Sequence, residues 1–462
     1  MFLPRQLKLG LQLGLFQLAL GLLSVLILGL LNRLLIQDIQ VPAALAALAV
    51  GAQQLMGFTR VWFGHRSDRR PADRLRRTPF ILASSVAIAV LFGLAVQVVL
   101  LLAGAMQAQL MLDSAAWFLA LIGISVAIGT AIAAGGTAFS ALVADRTTDQ
   151  ERPQVLSVVW AMRLLGVLLG TVLVNQVFGS ACDAGAGRAA VLAGLDRLTL
   201  VVPLLLLGLG IASVLGVEQR SSKASSVVPN TVVPPQRLAP LQLLRLMGNI
   251  PQAGRFMAVL CLFTFSMFLN DAVLEPYGAA VFGMSVCATT ALNASLALGF
   301  FVGMVLSGFQ LIHRIGNIRA SQCGAGLAVV SLALLLLAAP IQSLGLLKLG
   351  VTLFGLSLGV CMNACLTLMF NFVQPGQTGF LLGVWGAGYA YSCGLATISG
   401  GGLLTLFQWL NGGDPFGAYV GLFAFQIFLF LIAAAMTQRL DVTAFRDRVQ
   451  SSFGERMQAA VD

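Results

Sequence analysis

The sequence holds only two histidines, His65 and His313, and four tyrosines in 462 residues. Charged residues make up 10% of it, where a soluble domain carries about 25%. Each shortage excludes something. Two histidines cannot supply buried imidazole ligands to several sites. So little charge cannot clothe a water-facing globule of this size. No nucleotide-binding loop, nucleophile–base constellation or metal-ligand cluster is visible, so an enzyme is not expected. The seven cysteines (Cys182, Cys261, Cys287, Cys323, Cys361, Cys365 and Cys393) lie mostly in apolar runs and form no readable disulfide framework. Cys361 and Cys365, one helical turn apart, read as small residues at a helix contact rather than as a metal or redox site.

What the chain has in excess is apolar surface and glycine. It is 58% hydrophobic with 50 glycines and a mean hydropathy of +0.92. That composition specifies a polytopic membrane protein, in which small residues let helices approach closely. The first apolar run, about Leu11 to Leu31, is long enough to span, and no small-residue cleavage site follows it, so it reads as a span and not a signal peptide. The formal charge of +10 does not point to nucleic acid, because the basic residues sit in short loops between spans.

Runs of about 20 apolar residues predict an all-α fold of twelve spans, near 11–35, 42–63, 79–103, 116–143, 154–178, 198–217, 255–275, 288–310, 320–340, 346–370, 379–408 and 416–437. One long polar segment, 218–254, separates the sixth from the seventh. It begins rich in Ser, Pro and Val and ends as a short amphipathic helix (LAPLQLLRLM). The expected organisation is a six-helix half (1–217), a cytoplasmic linker (218–254), a second six-helix half (255–437) and a tail (438–462). Nearly all lysines and arginines fall on one side of this layout; the other side holds Arg33, Arg188, Arg197 and Lys348. Positive-inside bias therefore places both termini in the cytoplasm. The halves echo each other: Leu31-Asn32-Arg33 with Leu269-Asn270-Asp271, His65-Arg66 with His313-Arg314, and Val159-Trp160 with Val384-Trp385. Anchors in one order at near-constant offset indicate a duplication, as in transporters built from repeats.

Between spans 2 and 3 runs Gly64 to Arg77, GHRSDRRPADRLRR, with the form G-x-x-x-D-R followed by an Arg-Arg pair. Together with twelve spans, a 6+6 division and a central linker, it resembles the major facilitator superfamily. The resemblance implies a cytoplasmic latch of Gly64, Asp68, Arg69, Arg76, Arg77, Arg146 and Arg152. Asp68 would pair with Arg146 or Arg152 and face the start of span 11, where a helix N-terminus favours an anion. The second-half copy lacks the acid, so the latch should be one-sided.

Four stretches resemble one branch of that superfamily, the PucC family: LFQLALGLLSVLILGLLNRLLI, FTRVWFGHRSD, ADRTTDQERPQVLSVVWAMRLLGVLLG and NDAVLEPYGAAVFGMSVCATTALNA. The LEPYG…GMS segment is the most specific of them. This resemblance implies a role in delivering chlorophyll or bacteriochlorophyll to light-harvesting complexes, or in assembling them. The implied partners are membrane lipid, light-harvesting or chlorophyll-binding membrane proteins, and the pigment or its precursor; the implied cofactor is a transient chlorophyll or bacteriochlorophyll at most. The implied setting is the cytoplasmic or thylakoid membrane of a photosynthetic bacterium, and WGAGYAYSCG in span 11 suits a chlorophyll-using cyanobacterium.

Ionisable groups within spans are costly and so mark mechanism. Arg60 and Arg163 should snorkel, pair with Asp145 or Asp68, or touch substrate. Arg33 is expected to pair with Asp271 or Glu275 in an extracytoplasmic gate with Asn32 and Asn270. Pro276-Tyr277-Gly278 should end the seventh span in a turn. His65 could give pigment magnesium a single ligand near the surface, although a loop histidine beside arginines is the plainer reading. Otherwise Gln17, Gln53, Gln54, Asn175, Asn293 and Asn363 are available. A cavity would draw on Gln17, Ser24, Arg163, Asn363, Trp385 and Tyr389, with Tyr391, Phe263, Phe265 and Phe268 adding apolar lining. Two competing functions remain: a proton-coupled transporter of a small metabolite or drug, which needs a carboxylate at mid-depth, and a non-transporting scaffold for antenna proteins.

Overall fold

The computed structural model describes residues 5–31, 34–35, 51–71, 75–178, 188–218, 251–270, 273–284, 286–373 and 378–442, and isolated positions at 39, 41, 45, 49 and 444. Every regular element among them is a helix. Lipid dictates this, because an apolar segment must satisfy its own backbone. Helix α1 (Arg5–Ser24) continues as a π-helix over Val25–Leu31, and a 3-10 segment, Ala52–Phe58, leads into α2 (Thr59–Asp68). Then come α3 (Thr78–Gln107), α4 (Met111–Arg146), α5 (Arg152–Phe178) and α6 (Arg188–Val214). The second half of the chain supplies α7 (Pro251–Phe268), α8 (Leu274–Phe282), α9 (Val286–Leu306), α10 (Ile312–Ile341), α11 (Leu344–Asn371), α12 (Thr378–Leu410) and α13 (Pro415–Thr437).

Among the described residues nine helical segments are long and apolar enough to cross a membrane. One of them, Leu292–Ile341, is 50 residues long, enough for two crossings of a 30 Å core. It is broken at Gly316, whose φ of 79° and ψ of 167° suit glycine alone. The loop expected over 311–319 is thus a kink with helix on both sides, joined to α9 by a π-helical turn over Ser307–Leu311. With the shorter α7 and the segment through α2, these elements fit the order and positions of the twelve expected spans. The amphipathic linker helix and the tail beyond 444 fall outside the described residues.

The chain forms two compact units. The first comprises Met1–Arg146, Val158–Val232 and Thr378–Val384; the second comprises Thr147–Ser157, Val233–Gln377 and Trp385–Asp462. In the first unit Phe16 of α1 stacks on Phe139 of α4 with ring centroids 5.3 Å apart. Glycine sets the closeness of α1 and α5: a Cβ on Gly21 would strike the Arg163 carbonyl, and one on Gly166 the Leu18 carbonyl.

In the second unit α11 is the central helix, buried along most of its length. Gly299 and Gly303 of α9 and Gly355 and Gly359 of α11 lie directly against the opposite backbone. Spacings of four residues on both helices make the small-xxx-small contact that substitutes, in lipid, for a hydrophobic driving force.

Pro276-Tyr277-Gly278 does not end a helix. It lies in the first turns of α8, where a proline costs no hydrogen bond because the first four N–H groups have no helical acceptor. The interruption falls earlier, where Leu269 and Asn270 form a turn after α7. Tyr277 pins α8 in place. It is fully buried, donates its hydroxyl to the Leu335 carbonyl at 2.6 Å, and meets Tyr419 and Phe423 edge to face.

Candidate functional site

The stretch from Gly64 to Arg77 builds a buried charge network in the first unit. Gly64, in the last turns of α2, touches the first turn of α12: a Cβ there would overlap the Gly379 carbonyl, and one on Gly379 would crowd the Gly64 carbonyl. Gly383 stands in the same way against the Arg60 carbonyl, one turn along both helices. This approach brings the Asp68 carboxylate to the N-terminus of α12. Its Oδ1 accepts from the Gly379 amide at 3.0 Å and its Oδ2 from the Phe380 amide at 2.8 Å. Those amides have no helical acceptor, and the helix dipole favours the negative charge.

Arg77 completes the arrangement. Its Nη2 lies 2.7 Å from Asp68 Oδ1, its Nε donates to Asp145 Oδ2 at 3.0 Å, and its Nη1 donates to Ser67 Oγ at 2.5 Å. Arg77 is only 2% exposed, so burial works against its charge, yet the two carboxylates outweigh burial and raise its pKa. Arg76 donates through Nη2 to the Asp68 carbonyl at 2.5 Å.

A second carboxylate does for α3 what Asp68 does for α12. Glu218, just beyond α6, accepts from the backbone amides of Arg76 (2.7 Å), Arg77 (3.0 Å) and Thr78 (2.7 Å). Burial pushes the Glu218 carboxyl up, but these amide hydrogen bonds win and hold it below the usual carboxylate range. Nothing in the sequence marked Glu218 as more than the first residue of a linker.

Within its own unit Asp68 takes Arg77 as its partner. Arg152 pairs with Asp149 at 2.7 Å, donates to the Thr147 carbonyl, and sits over the Phe370 ring, all within the second unit. Arg146 ends α4, where a cation complements the helix dipole. Asp68 is enclosed, and Arg77 reaches it from the same loop. Arg69 is exposed at the C-cap of α2.

Of the in-span arginines, Arg163 donates to Gln17 Oε1 at 3.0 Å and lies over its neighbour Trp160, so it pairs with an amide and not with Asp145 or Asp68. Arg60 points its guanidinium toward Gly136 of α4. Ser24 donates to the Gly21 carbonyl of its own helix. In the second unit Asn363 is fully buried; its amide nitrogen donates to Ser157 Oγ at 2.9 Å, and its Oδ1 has no hydrogen-bond partner among the described residues. Ser157 fits only because Gly308, in the π-helical turn, has no side chain.

Trp385, one of the residues expected at a cavity, is held in the core of the second unit. It is buried against Phe256, and its indole N–H donates to the Phe372 carbonyl at 2.9 Å, the partner a buried indole requires. Phe263 is likewise core, edge-on to Phe430. Tyr389 meets Phe268 edge to face, both half-buried, and Tyr391 is exposed. His313 contacts the Gln150 carbonyl through Nε2 at 2.8 Å. His65 turns edge-on to Phe380, with Nε2 buried and without a hydrogen-bond partner among the described residues. Burial first, then the charge of Arg69, hold its pKa below the ordinary value against the pull of Asp68.

Asn32, Arg33 and Asp271 of the expected gate lie outside the described residues, as do the side chains of Glu275 and Asn175. Asn270 is buried, and its amide makes no hydrogen bond among the described residues. No group of three or more His, Cys, Asp or Glu among the described residues could hold a metal ion.

Known proteins place this geometry. A protein of Rhodobacter capsulatus described as an uncharacterized protein in the puhA-bchM intergenic region is 31% identical over 400 residues, 85% of this chain and 79% of that one. From the same species, the bacteriochlorophyll synthase 44.5 kDa chain is 29% identical over 435 residues, 92% and 93% of the two chains. Protein PucC of Rhodovulum sulfidophilum is 27% identical over 399 residues, covering 85% and 84%. Among solved structures, a bacterial homologue of the iron transporter ferroportin, facing outward, superposes with a TM-score of 0.70 at 14% identity over 95% of this chain and 99% of that one. The proton:xylose symporter XylE, a major facilitator superfamily protein, gives 0.63 at 12% identity over 94% and 95%. The fold is therefore that of the major facilitator superfamily, and the protein is an integral multi-pass membrane protein. Residues 30–445 match the family described as PUCC protein, and the chain belongs to that family.

Proposed function

We propose that this protein handles a chlorophyll-type pigment during the building of light-harvesting complexes, without chemistry of its own. The observation that supports the reading is family membership across nearly the whole chain, with relatives named for PucC and for bacteriochlorophyll synthase. The pigment is cargo. Side chains able to meet its magnesium are scarce: Gln17 is engaged by Arg163, Asn363 is enclosed in α11, and His65 Nε2 is closed off beside Phe380. Gln54 and Asn293 lie exposed, and either they or a water would serve an arriving pigment at the surface of its unit. Recipients would be antenna polypeptides in a photosynthetic membrane, with both termini of this chain in the cytoplasm.

Among the described residues Asp68, Asp113, Asp145 and Asp414 lie at or near helix ends, and Asp196 is exposed in the third turn of α6. That placement favours pigment delivery or scaffolding over proton-coupled solute transport, which needs a buried titratable group at mid-depth. Purification from the native membrane decides between them. Delivery predicts chlorophyll absorption together with antenna subunits; scaffolding predicts the subunits without pigment. A colourless, solitary protein that carries solute in vesicles would defeat both.

A further inference from the structure

The described arginines of the 64–77 stretch divide into two groups. Arg76 and Arg77 are consumed inside the network, whereas Arg66, Arg69 and Arg70 are exposed. Two of the outer three are held on aromatic faces: Arg66 lies 5.3 Å over the Trp62 ring and Arg70 lies 4.9 Å over the Phe80 ring. Trp62 is itself 50% exposed, as are Phe58 (57%) and Leu55 (56%). Positions 55, 58, 62 and 66 step by three and four, so they form one stripe along the helix. The stripe faces away from α12. Gly64 touches α12, and residues two places either side of it point about 200° round the helix.

From Leu55 to Arg66 the stripe rises about 18 Å, counting one 3-10 turn and two α turns. One leaflet of hydrocarbon is about 15 Å thick. The chemistry along the stripe runs in the order of a lipid molecule: aliphatic and aromatic surface, then an indole suited to the headgroup level, then fixed cations. Asp68 is neutralised by Arg77, and among the described residues no acid pairs with Arg66, Arg69 or Arg70, which leaves positive charge at the end of the stripe.

We propose that this face of α2 is a binding site for one anionic phospholipid. Its headgroup phosphate rests on Arg66 and Arg70, and an acyl chain lies along Leu55 and Phe58. Trp62 and Phe80 hold the two guanidinium groups in place, so less side-chain freedom is lost on binding. The lipid site does not depend on the proposed function.

The test uses the full chain in neutral detergent, with bound lipid counted by native mass spectrometry during titration with phosphatidylglycerol or phosphatidylcholine. The expected result is retention of phosphatidylglycerol over phosphatidylcholine. In the R66Q/R70Q variant that preference should weaken on the order of thirtyfold, at about a factor of five per arginine near a membrane surface. R314Q/R319Q, which alters exposed arginines of the second unit, should bind as the wild type does. Neither Arg66 nor Arg70 belongs to the Asp68 network, so melting of R66Q/R70Q in phosphatidylcholine should match the wild type and exclude misfolding. Equal affinity for the two lipids, or unchanged binding by R66Q/R70Q, would overturn the proposal. So would full displacement by millimolar glycerol phosphate, which would indicate a free phosphate site. Loss of an antenna polypeptide from the variant, with lipid binding intact, would assign the face to a protein partner instead.

Discussion

A guanidinium buried at 2% exposure is stable only while its acids remain, and this governs what Asp68 and Arg77 contribute. Asp68→Asn would leave Arg77 enclosed with Asp145 alone, an acid whose side chain is 38% exposed, and would strip the anion from the N-terminus of α12. Breaking one side of a buried pair costs about 3–5 kcal/mol. Asp149→Asn removes the acid of the Arg152 pair, but that acid is 58% exposed, so the loss should stay below about 1 kcal/mol. Thermal melts of the two variants in one detergent measure the difference, and equal shifts would show that the Asp68 network bears no stability. Gly64→Ala probes the same place sterically. Its methyl would meet a backbone carbonyl that cannot rotate aside, an overpacking of about 1–3 kcal/mol. Asp68 could be singled out in the sequence, over Asp73 of the same stretch, because it holds the acid's place in the G-x-x-x-D-R form. Arg77 as its partner could not be, because six neighbouring arginines are interchangeable on paper and only the path of the chain selects one. Glu218 was hidden for a related reason: its partners are backbone amides, which no side-chain pattern records.

At the scale of the element, Glu218 is a cap supplied from just beyond the end of α6. Three amides that would be orphaned at the start of α3 are satisfied by a carboxylate more than a hundred residues away. Glu218→Ala should destabilise by about 0.5–2 kcal/mol, the usual worth of an N-terminal cap. The pH dependence has a definite sign. Because the folded-state pKa is depressed, the stabilisation is complete above the ordinary glutamate value of about 4.3 and drains away as pH falls through the lower folded value. The gap in melting temperature between wild type and Glu218→Gln should therefore be widest at pH 6–7 and close toward pH 3; a gap that widened with acid would contradict the cap. The helices were legible because apolar runs of span length have one solution in lipid. Their joints were less so. The kink at Gly316 and the helical course of Pro276-Tyr277-Gly278 both turn on whether a breaker falls in a helix's first turn, in its interior or at a positive φ. Residue identity alone does not say which. The acceptor that holds Trp385 in the core, the Phe372 carbonyl just past the end of α11, is equally absent from any sequence pattern.

For the molecule as a whole, the distribution of positive charge sets how the chain threads the membrane. Arg66, Arg69 and Arg70 are exposed at one end of α2, and Arg314 and Arg319 are exposed around the Gly316 kink. The turn between α3 and α4, where Gln109 takes a φ of 56°, carries no basic residue. A fluorescent protein fused at either terminus should therefore fold and fluoresce in the cytoplasm, while alkaline phosphatase inserted after Gln109 should be active on the opposite side. The arginines of the 64–77 stretch serve two ends that one experiment can separate. If charge count alone sets orientation, replacing Arg66, Arg69 and Arg70 with lysine keeps both reporters unchanged, since either cation resists translocation. The same substitution removes the flat guanidinium faces that stack on Trp62 and Phe80, so it should lower phosphatidylglycerol retention while topology holds. A triple-lysine protein that inverted its reporters would mean that the stretch orients the chain through specific contacts rather than through charge.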